Sequence, residues 1–412
     1  MNMKMRTFLI IILSVVFLRH SDAQEILQWR GIDRSGVYTA TNLLQEWPPE
    51  GPEFLWESVE TGNGYGSMAI TRQGIYVNGE MDTISYLFAL DHQGKLRWKS
   101  PIGAEWTRNY PGSRSTPTVV GDLVYVTAGL GRLACFETAT GKERWSFDLT
   151  TDFHGPVPRF GYSESVITDG DILYCMPGGQ DTNVVALDRF TGRIHWISKG
   201  MGEMAAYCSP IIIRLPQRNI LVTFSKTHLV GIDTRDGNLL WSYKQEGEEV
   251  DCQCNTPLYE NGHIYCVAGN GNGAFRLKLS DDGTQVTEVW ANKRCDNIFG
   301  GFVKVKDHLY TSGYEKRQYY VVDTQTGAIT DSVKFDRGSV ISAEGMLYLY
   351  NEKGMMGLFR PLGPSMEKIS AFRITRGTKA HFAHPVISDG ILYVRHGKSV
   401  LAYRIGKDEA GK

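Results

Sequence analysis

Apolar and polar residues alternate in short runs along this chain, and the runs break at regular corners. Residues 184–196 show the unit: Val184-Val185-Ala186-Leu187 leads into Asp188-Arg189-Phe190-Thr191-Gly192, and a second run closes on Trp196. A strand-length run, a corner in which Gly192 can take positive φ and Asp188 can cap its own backbone, and a second short run together predict a β-hairpin. The unit recurs at 231–241, 135–145 and 89–98, the last with a corner one residue shorter. Residues 321–331 keep Asp323, Thr326 and Gly327 but carry Asp331 at the Trp position. A looser copy with Gly283 ends on Trp290, and Trp56 closes one more near the N-terminus.

A second pattern interleaves with the first: an apolar strand, a tight turn, then an aliphatic residue followed by Tyr. Its members end on Tyr76, Tyr125, Tyr174, Tyr265, Tyr310, Tyr348 and Tyr393, with Asn219-Ile220-Leu221 as a degraded member. Copies spaced by roughly 40–50 residues have the period of a four-stranded propeller blade. The expected fold is therefore all-β, an eight-bladed β-propeller of four-stranded antiparallel blades. Seven complete blades begin near Ser67, Thr116, Ser163, Ser209, Thr256, Gly301 and Ser339. Residues 53–59 look like the last strand of a blade with none before it, and residues 384–405 supply three strands that lack a fourth. The N-terminal strand is expected to complete the last blade, which leaves no open sheet edge at the join. The repeated Trp and Tyr residues read as packing between blades.

Residues 1–23 place Lys4 and Arg6 before an apolar run, Thr7 to Leu18, and Ser21-Asp22-Ala23. The run is too short to span a bilayer, and the order of features predicts a cleaved signal peptide. No cysteine stands at the expected cleavage point, so no lipid anchor is indicated. The expected mature product is a periplasmic or secreted, non-membrane-spanning monomer with one propeller domain over 24–406 and a frayed polar tail over 407–412. The chain has 44 basic and 45 acidic residues, for a net charge of −1. Without a run of either sign, nucleic-acid binding by phosphate neutralisation is not expected. Seven cysteines make an odd count for an exported chain. Cys135, Cys175 and Cys266 hold repeat positions that read as core. Cys208, Cys252, Cys254 and Cys295 lie in leads of successive blades, where a disulfide of Cys252 or Cys254 with Cys295 is one arrangement open to them.

In a propeller the innermost strand of each blade lines the axis, and the segments entering those strands form one mouth. Here these segments are polar: Tyr65-Gly66-Ser67, Arg114-Ser115-Thr116, Gly161-Tyr162-Ser163-Glu164, Ala206-Tyr207-Cys208-Ser209, Cys254-Asn255-Thr256, Asp296-Asn297-Ile298-Phe299-Gly300, Arg337-Gly338-Ser339 and His381-Phe382-Ala383-His384. Tyr65, Arg114, Tyr162, Glu164, Tyr207, Asn255, Asn297, Arg337, His381 and His384 are the candidate ligand-binding residues of this funnel mouth.

These same residues carry a family resemblance. The Asp-x-x-Thr-Gly-x-x-x-Trp repeats, the opening Trp29-Arg30-Gly31 with Arg34 and Gly36, Gly161-Tyr162-Ser163-Glu164-Ser165, Pro177-Gly178-Gly179 and Ala206-Tyr207-Cys208-Ser209-Pro210 resemble the PQQ-binding-like β-propeller repeat proteins. That superfamily includes the quinoprotein alcohol dehydrogenases and the assembly protein BamB. The resemblance spans nearly the whole chain and implies the fold. For the dehydrogenases it implies PQQ held with Ca²⁺, Asp296 as catalytic base, and Asn270 with Asp296 at the metal. The sequence departs from that pattern: Cys252-Gln253-Cys254 is not an adjacent pair, no Trp leads the Asn270 blade, Ser225-Lys226 stands where a Glu ligand is sought, and no Cys-x-x-Cys-His haem motif occurs. No resident cofactor is therefore expected. The leading expectation is an exported binding and scaffolding protein, with a peptide or glycan in the funnel or on the blade rim. The alternatives are a PQQ/Ca-dependent alcohol or sugar dehydrogenase, or a polysaccharide lyase drawing on His154, Tyr162, Tyr207, His381, His384 and Arg114.

Overall fold

Asp188 Oδ1 accepts hydrogen bonds from Phe190 N, Thr191 N and Thr191 Oγ1 at 3.1, 2.8 and 2.7 Å, and Asp323 Oδ1 does the same for Gln325 and Thr326. These bonds favour the charged form, and both carboxyls sit below their usual range. The corners thus close by local chemistry, and each joins the outer two strands of one sheet. The computed structural model describes residues 25–247, 252–298 and 300–407. The expected signal peptide, nearly all of the expected tail, and Phe299 lie outside the described residues.

Eight sheets result, six of them built from four consecutive antiparallel strands alone. Blades 1 to 7 cover residues 69–104, 118–148, 167–198, 211–244, 258–292, 302–333 and 338–373. Blade 8 contains three strands from 386–404, and its outer strand is Glu53–Ser58, paired antiparallel from Glu53↔Arg404 to Ser58↔Val400. The described chain contains no helix. The eight-bladed ring and its closure by the N-terminal strand are those expected from the repeats.

The repeat Trp residues tie neighbouring blades together. Nε1 of Trp98, Trp145, Trp196 and Trp290 each donates to a carbonyl in the corner of the next blade: Thr138, Arg189, Thr234 and Thr324, at 3.1, 3.0, 3.0 and 2.8 Å. The ring lies so close to that corner that a Cβ on Gly141 (φ +71) would stand 2.5 Å from Trp98. Asp331, in the Trp position of blade 6, keeps a link by another route, accepting from Met366 N of blade 7 at 3.1 Å. At the closing seam Arg395 is fully buried and donates to the carbonyls of Asn78 and Gly62, which belong to blade 1 and its approach.

Residues 25–38 take a path that the repeats do not foretell: they run across the axis and bond to every blade. Ile26 exchanges backbone hydrogen bonds with Ile70 of blade 1 at 2.7 and 2.8 Å, and Leu27 O accepts from Val119 N of blade 2. Trp29 Nε1 donates to Thr256 Oγ1 at the entry of blade 5. Arg34 donates to the carbonyls of Ser165 and Val166 entering blade 3, and of Pro210 entering blade 4, at 2.8, 2.6 and 3.0 Å. Arg30 reaches Phe302 O of blade 6, Val340 O of blade 7 and His384 Nδ1 entering blade 8, at 2.6, 3.1 and 3.0 Å. Val37–Tyr38 then adds a parallel strand beside Gly338–Ala343, the innermost strand of blade 7. Eight inner edges converging on an axis leave backbone carbonyls with no strand beside them. A guanidinium, with five donors in a rigid fork, suits that arrangement. Arg30 and Arg34 are 3% and 2% exposed. Burial pulls them down to about 10 and about 9, so both stay charged at neutral pH.

Candidate functional site

The N-terminal segment divides the axial space into two cavities. One, of about 480 Å³, lies on the side lined by Gln28, Asp33, Arg34 and Ser35. The other, of about 590 Å³, is a funnel with Trp29 and His384 in its lining, inside the size range of ligand pockets. Trp29 and His384 have ring centroids 4.5 Å apart, and Arg30 fixes the imidazole from behind. Because a guanidinium only donates, His384 Nδ1 is the acceptor, and in the neutral ring the proton sits on Nε2.

Aromatic rings and arginines alternate around the wall. Tyr65 and Phe382 lie 5.4 Å apart, Phe382 and Tyr110 5.5 Å, and the Arg114 guanidinium stands 5.8 Å from the Tyr65 ring. Arg114 donates to the carbonyls of Gly112, Asn109 and Tyr110 at 2.7, 2.8 and 2.8 Å, which clamps the loop carrying Tyr110. Tyr110 has φ +49 and is 57% exposed, a left-handed conformation that costs about 1–3 kcal/mol and presents its ring to solvent. Farther round, Arg159 lies 5.2 Å from Phe160, whose amide donates to Tyr207 Oη. Across the mouth Arg337 stacks 3.9 Å from Tyr314 and pairs with Glu352 at 2.8 Å. Asn270 also lines the funnel, and its Nδ2 has no hydrogen-bond partner.

Of the residues proposed from sequence, Tyr65, Arg114, Tyr207, Arg337, His384 and Asn270 line the funnel. The others sit behind the wall. Tyr162 is 1% exposed and donates to Pro177 O at 2.8 Å. Glu164 is buried and accepts from Met176 N, while its other oxygen has no partner. Burial raises its carboxyl to about 8. Asn255 staples Val267 O, Asn297 O and Gly301 N together, and Asn297 donates to Gly301 O and Thr311 Oγ1. His381 stacks on His396 at 3.7 Å and bonds to Tyr350 Oη. These positions turn into the ring of sheets rather than toward the axis, because successive side chains of an extended lead point opposite ways. Trp29, Tyr110, Arg159, Phe160, Tyr314, Glu352 and Phe382 line the funnel without having been singled out. Glu352 lies in a loop between the two middle strands of its blade, a class of segment the lead pattern does not cover.

Neither enzymatic constellation is assembled. For a quinone with Ca²⁺, Trp29 offers one flat ring, but Asp296 is absent from the lining, and burial and Glu315 raise its carboxyl. No group of three or more His, Cys, Asp or Glu able to hold a metal occurs among the described residues. Cys252 and Cys254 line the wall with Gln253 between them. None of the seven cysteines is disulfide-bonded, and Cys295 is fully buried. The residues present do not fit the cofactor, and no redox step follows from them. Of the lyase candidates, His154, Tyr162 and His381 are outside the funnel, and His384 meets Arg30 through its accepting nitrogen.

Comparison with known proteins agrees with the architecture. A family model described as outer membrane protein assembly factor BamB matches residues 83–332. The BamB of Shewanella oneidensis is 21% identical over 307 residues, covering 70% of this chain and 69% of that protein. The serine/threonine-protein kinase AfsK of Streptomyces griseus is 32% identical over 173 residues, 40% of this chain but only 20% of the kinase. Among solved structures, BamB from Moraxella catarrhalis has a TM-score of 0.61 at 11% identity, covering 86% of this chain and 99% of its own. The quinohemoprotein alcohol dehydrogenase ADHIIG from Pseudomonas putida HK5 has a TM-score of 0.62 at 12% identity, covering 94% and 81%. At such identities the structural likeness speaks for the fold alone. With the family model spanning more than half of its length, the chain belongs to the family of the outer membrane protein assembly factor BamB, within the PQQ-like propellers.

Proposed function

We propose that this chain is an exported binding and scaffolding propeller that holds its ligand in the funnel floored by Trp29. The observation that carries the reading is the blind pocket itself. A segment bonded to all eight blades closes the axis, and its Trp29, six further aromatic rings and three arginines surround about 590 Å³. Large rigid rings with a few fixed polar groups are what a specific pocket uses for affinity and orientation. The N-terminal features of the sequence support export, and relatives named for outer membrane protein assembly support a periplasmic setting with protein partners on the rim. Strand addition at the axis is disfavoured, since Ile26, Val37–Tyr38 and the two arginines already occupy inner-strand edges.

The test is identification of small molecules retained by the purified mature protein, by mass spectrometry after denaturation, in parallel with Tyr207→Ala and Phe382→Ala. The reading expects a bound compound that both variants lose while remaining folded. A compound retained equally by both would place binding elsewhere and overturn the funnel as the site.

A further inference from the structure

The wall of the funnel is selective in its chemistry. We propose that its ligand is an acidic oligosaccharide, with sugar rings laid on the arc Tyr65–Phe382–Tyr110 and a uronate-type carboxylate met by Arg114. The proposal rests on the funnel being the binding site and adds the class of ligand.

Three features lead there. The rings of the arc are tilted to one another, by 44° between Tyr65 and Phe382 and 64° between Phe382 and Tyr110. A flat ligand sandwiched between two rings needs near-parallel faces. A tilted arc instead offers separate platforms to the C–H faces of successive puckered rings, each ring burying apolar surface while its hydroxyls remain outward. Second, Arg114 lines the funnel beside the arc, its guanidinium 5.8 Å from the Tyr65 ring, and a fixed cation in a low-dielectric cleft attracts an anion. Arg114 is preorganised for it: three of its five N–H donors hold carbonyls of its own loop, so the guanidinium is fixed before a ligand arrives. Third, Ser163 and Ser209 give hydroxyl groups neutral partners on the same wall. The strained φ of Tyr110 fits this assignment, because the Arg114 clamp on its carbonyl holds the ring out at the mouth.

The experiment is calorimetric titration of the mature protein with an oligogalacturonate and with its carboxyl-reduced, neutral counterpart, at low and at physiological salt. Wild type is compared with Arg114→Gln, Phe382→Ala and, as a control on the outer rim, Arg404→Gln. The expected result is binding of the acidic oligomer at least tenfold tighter than the neutral one, weakened by salt. Arg114→Gln should erase that preference, Phe382→Ala should weaken both oligomers, and the control should match wild type. Equal binding of the two oligomers, lost in Phe382→Ala, would overturn the acidic assignment and leave the funnel as the site. Acidic binding untouched by Arg114→Gln and Phe382→Ala would overturn both. No binding of either oligomer, or stabilisation by PQQ instead, overturns the glycan assignment. A folded state unchanged by circular dichroism and thermal midpoint qualifies each variant.

Discussion

Trp29, from the N-terminal segment, lies against His384 at the entry of the last blade, with ring centroids 4.5 Å apart. The two residues are far apart in sequence, yet they make one surface, the floor of the funnel. Without that floor the axis would be a channel between the two cavities. Trp29→Ala is expected to weaken any funnel ligand at least tenfold, about 1.4 kcal/mol, while Glu53–Ser58 still closes the ring. Titration of the variant beside wild type tests this; unchanged affinity would show that the floor takes no part in binding.

Arg34 satisfies three carbonyls from two blade entries and also donates to Gln28 Oε1. Removing it leaves buried acceptors without donors at about 1–3 kcal/mol each, so Arg34→Ala is expected to cost about 3 kcal/mol or more. Arg34→Lys should recover little, because an ammonium lacks the planar fork. Urea unfolding of both variants is the check, and a lysine variant as stable as wild type would contradict the account.

Glu164 supplies a pH dependence of known sign. Its carboxyl rises from 4.5 to about 8 in the fold, chiefly through burial. The folded state therefore holds the proton more tightly than the unfolded chain. The contribution is fully present below about pH 4.5 and is lost as pH rises toward 8. Glu164→Gln keeps an acceptor for Met176 N and cannot ionise. It should lose less stability between pH 5 and 8 than wild type does, by more than about 1 kcal/mol, since each tenfold change in proton affinity is worth about 1.4 kcal/mol. Thermal midpoints across that range decide it, and parallel pH curves would refute the assignment.

Two glycines separate backbone strain from crowding. Gly121 and Gly141 both have positive φ, at +60 and +71, but nothing lies within 4 Å of a Cβ on Gly121, while one on Gly141 would meet Trp98. Gly121→Ala should cost about 1–2 kcal/mol for the left-handed conformation alone. Gly141→Ala should cost more than that, because the ring bonded to Thr138 O has to move. Equal losses, measured by denaturant unfolding, would mean that the Trp98 contact carries no weight.

The blades were legible because each repeat is a local device. Asp, Thr and Gly close a corner, Trp reaches the next blade, and no distant residue is needed to recognise either. Asp331 shows how far this goes, since it links blades 6 and 7 without the Trp. The funnel was only half legible. Residues in the leads could be listed, but alternation along a lead sends Tyr207 and Arg114 to the axis and Tyr162 and Asn255 into the ring, and short irregular leads give no register to tell which. The segment holding Trp29, Arg30 and Arg34 was visible as a motif but not as a hub. Its partners are backbone carbonyls, which have no sequence signature.

The central claim is that residues 25–38 are an integral part of the ring. Amide hydrogen exchange tests it most directly, with peptides covering Ile26 to Tyr38 compared with those from the inner strands of blades 1 and 7. The account predicts protection in the N-terminal segment approaching that of the strands it bonds, released only in global unfolding. Exchange there at the rate of an open chain, with the blades still protected, would contradict it.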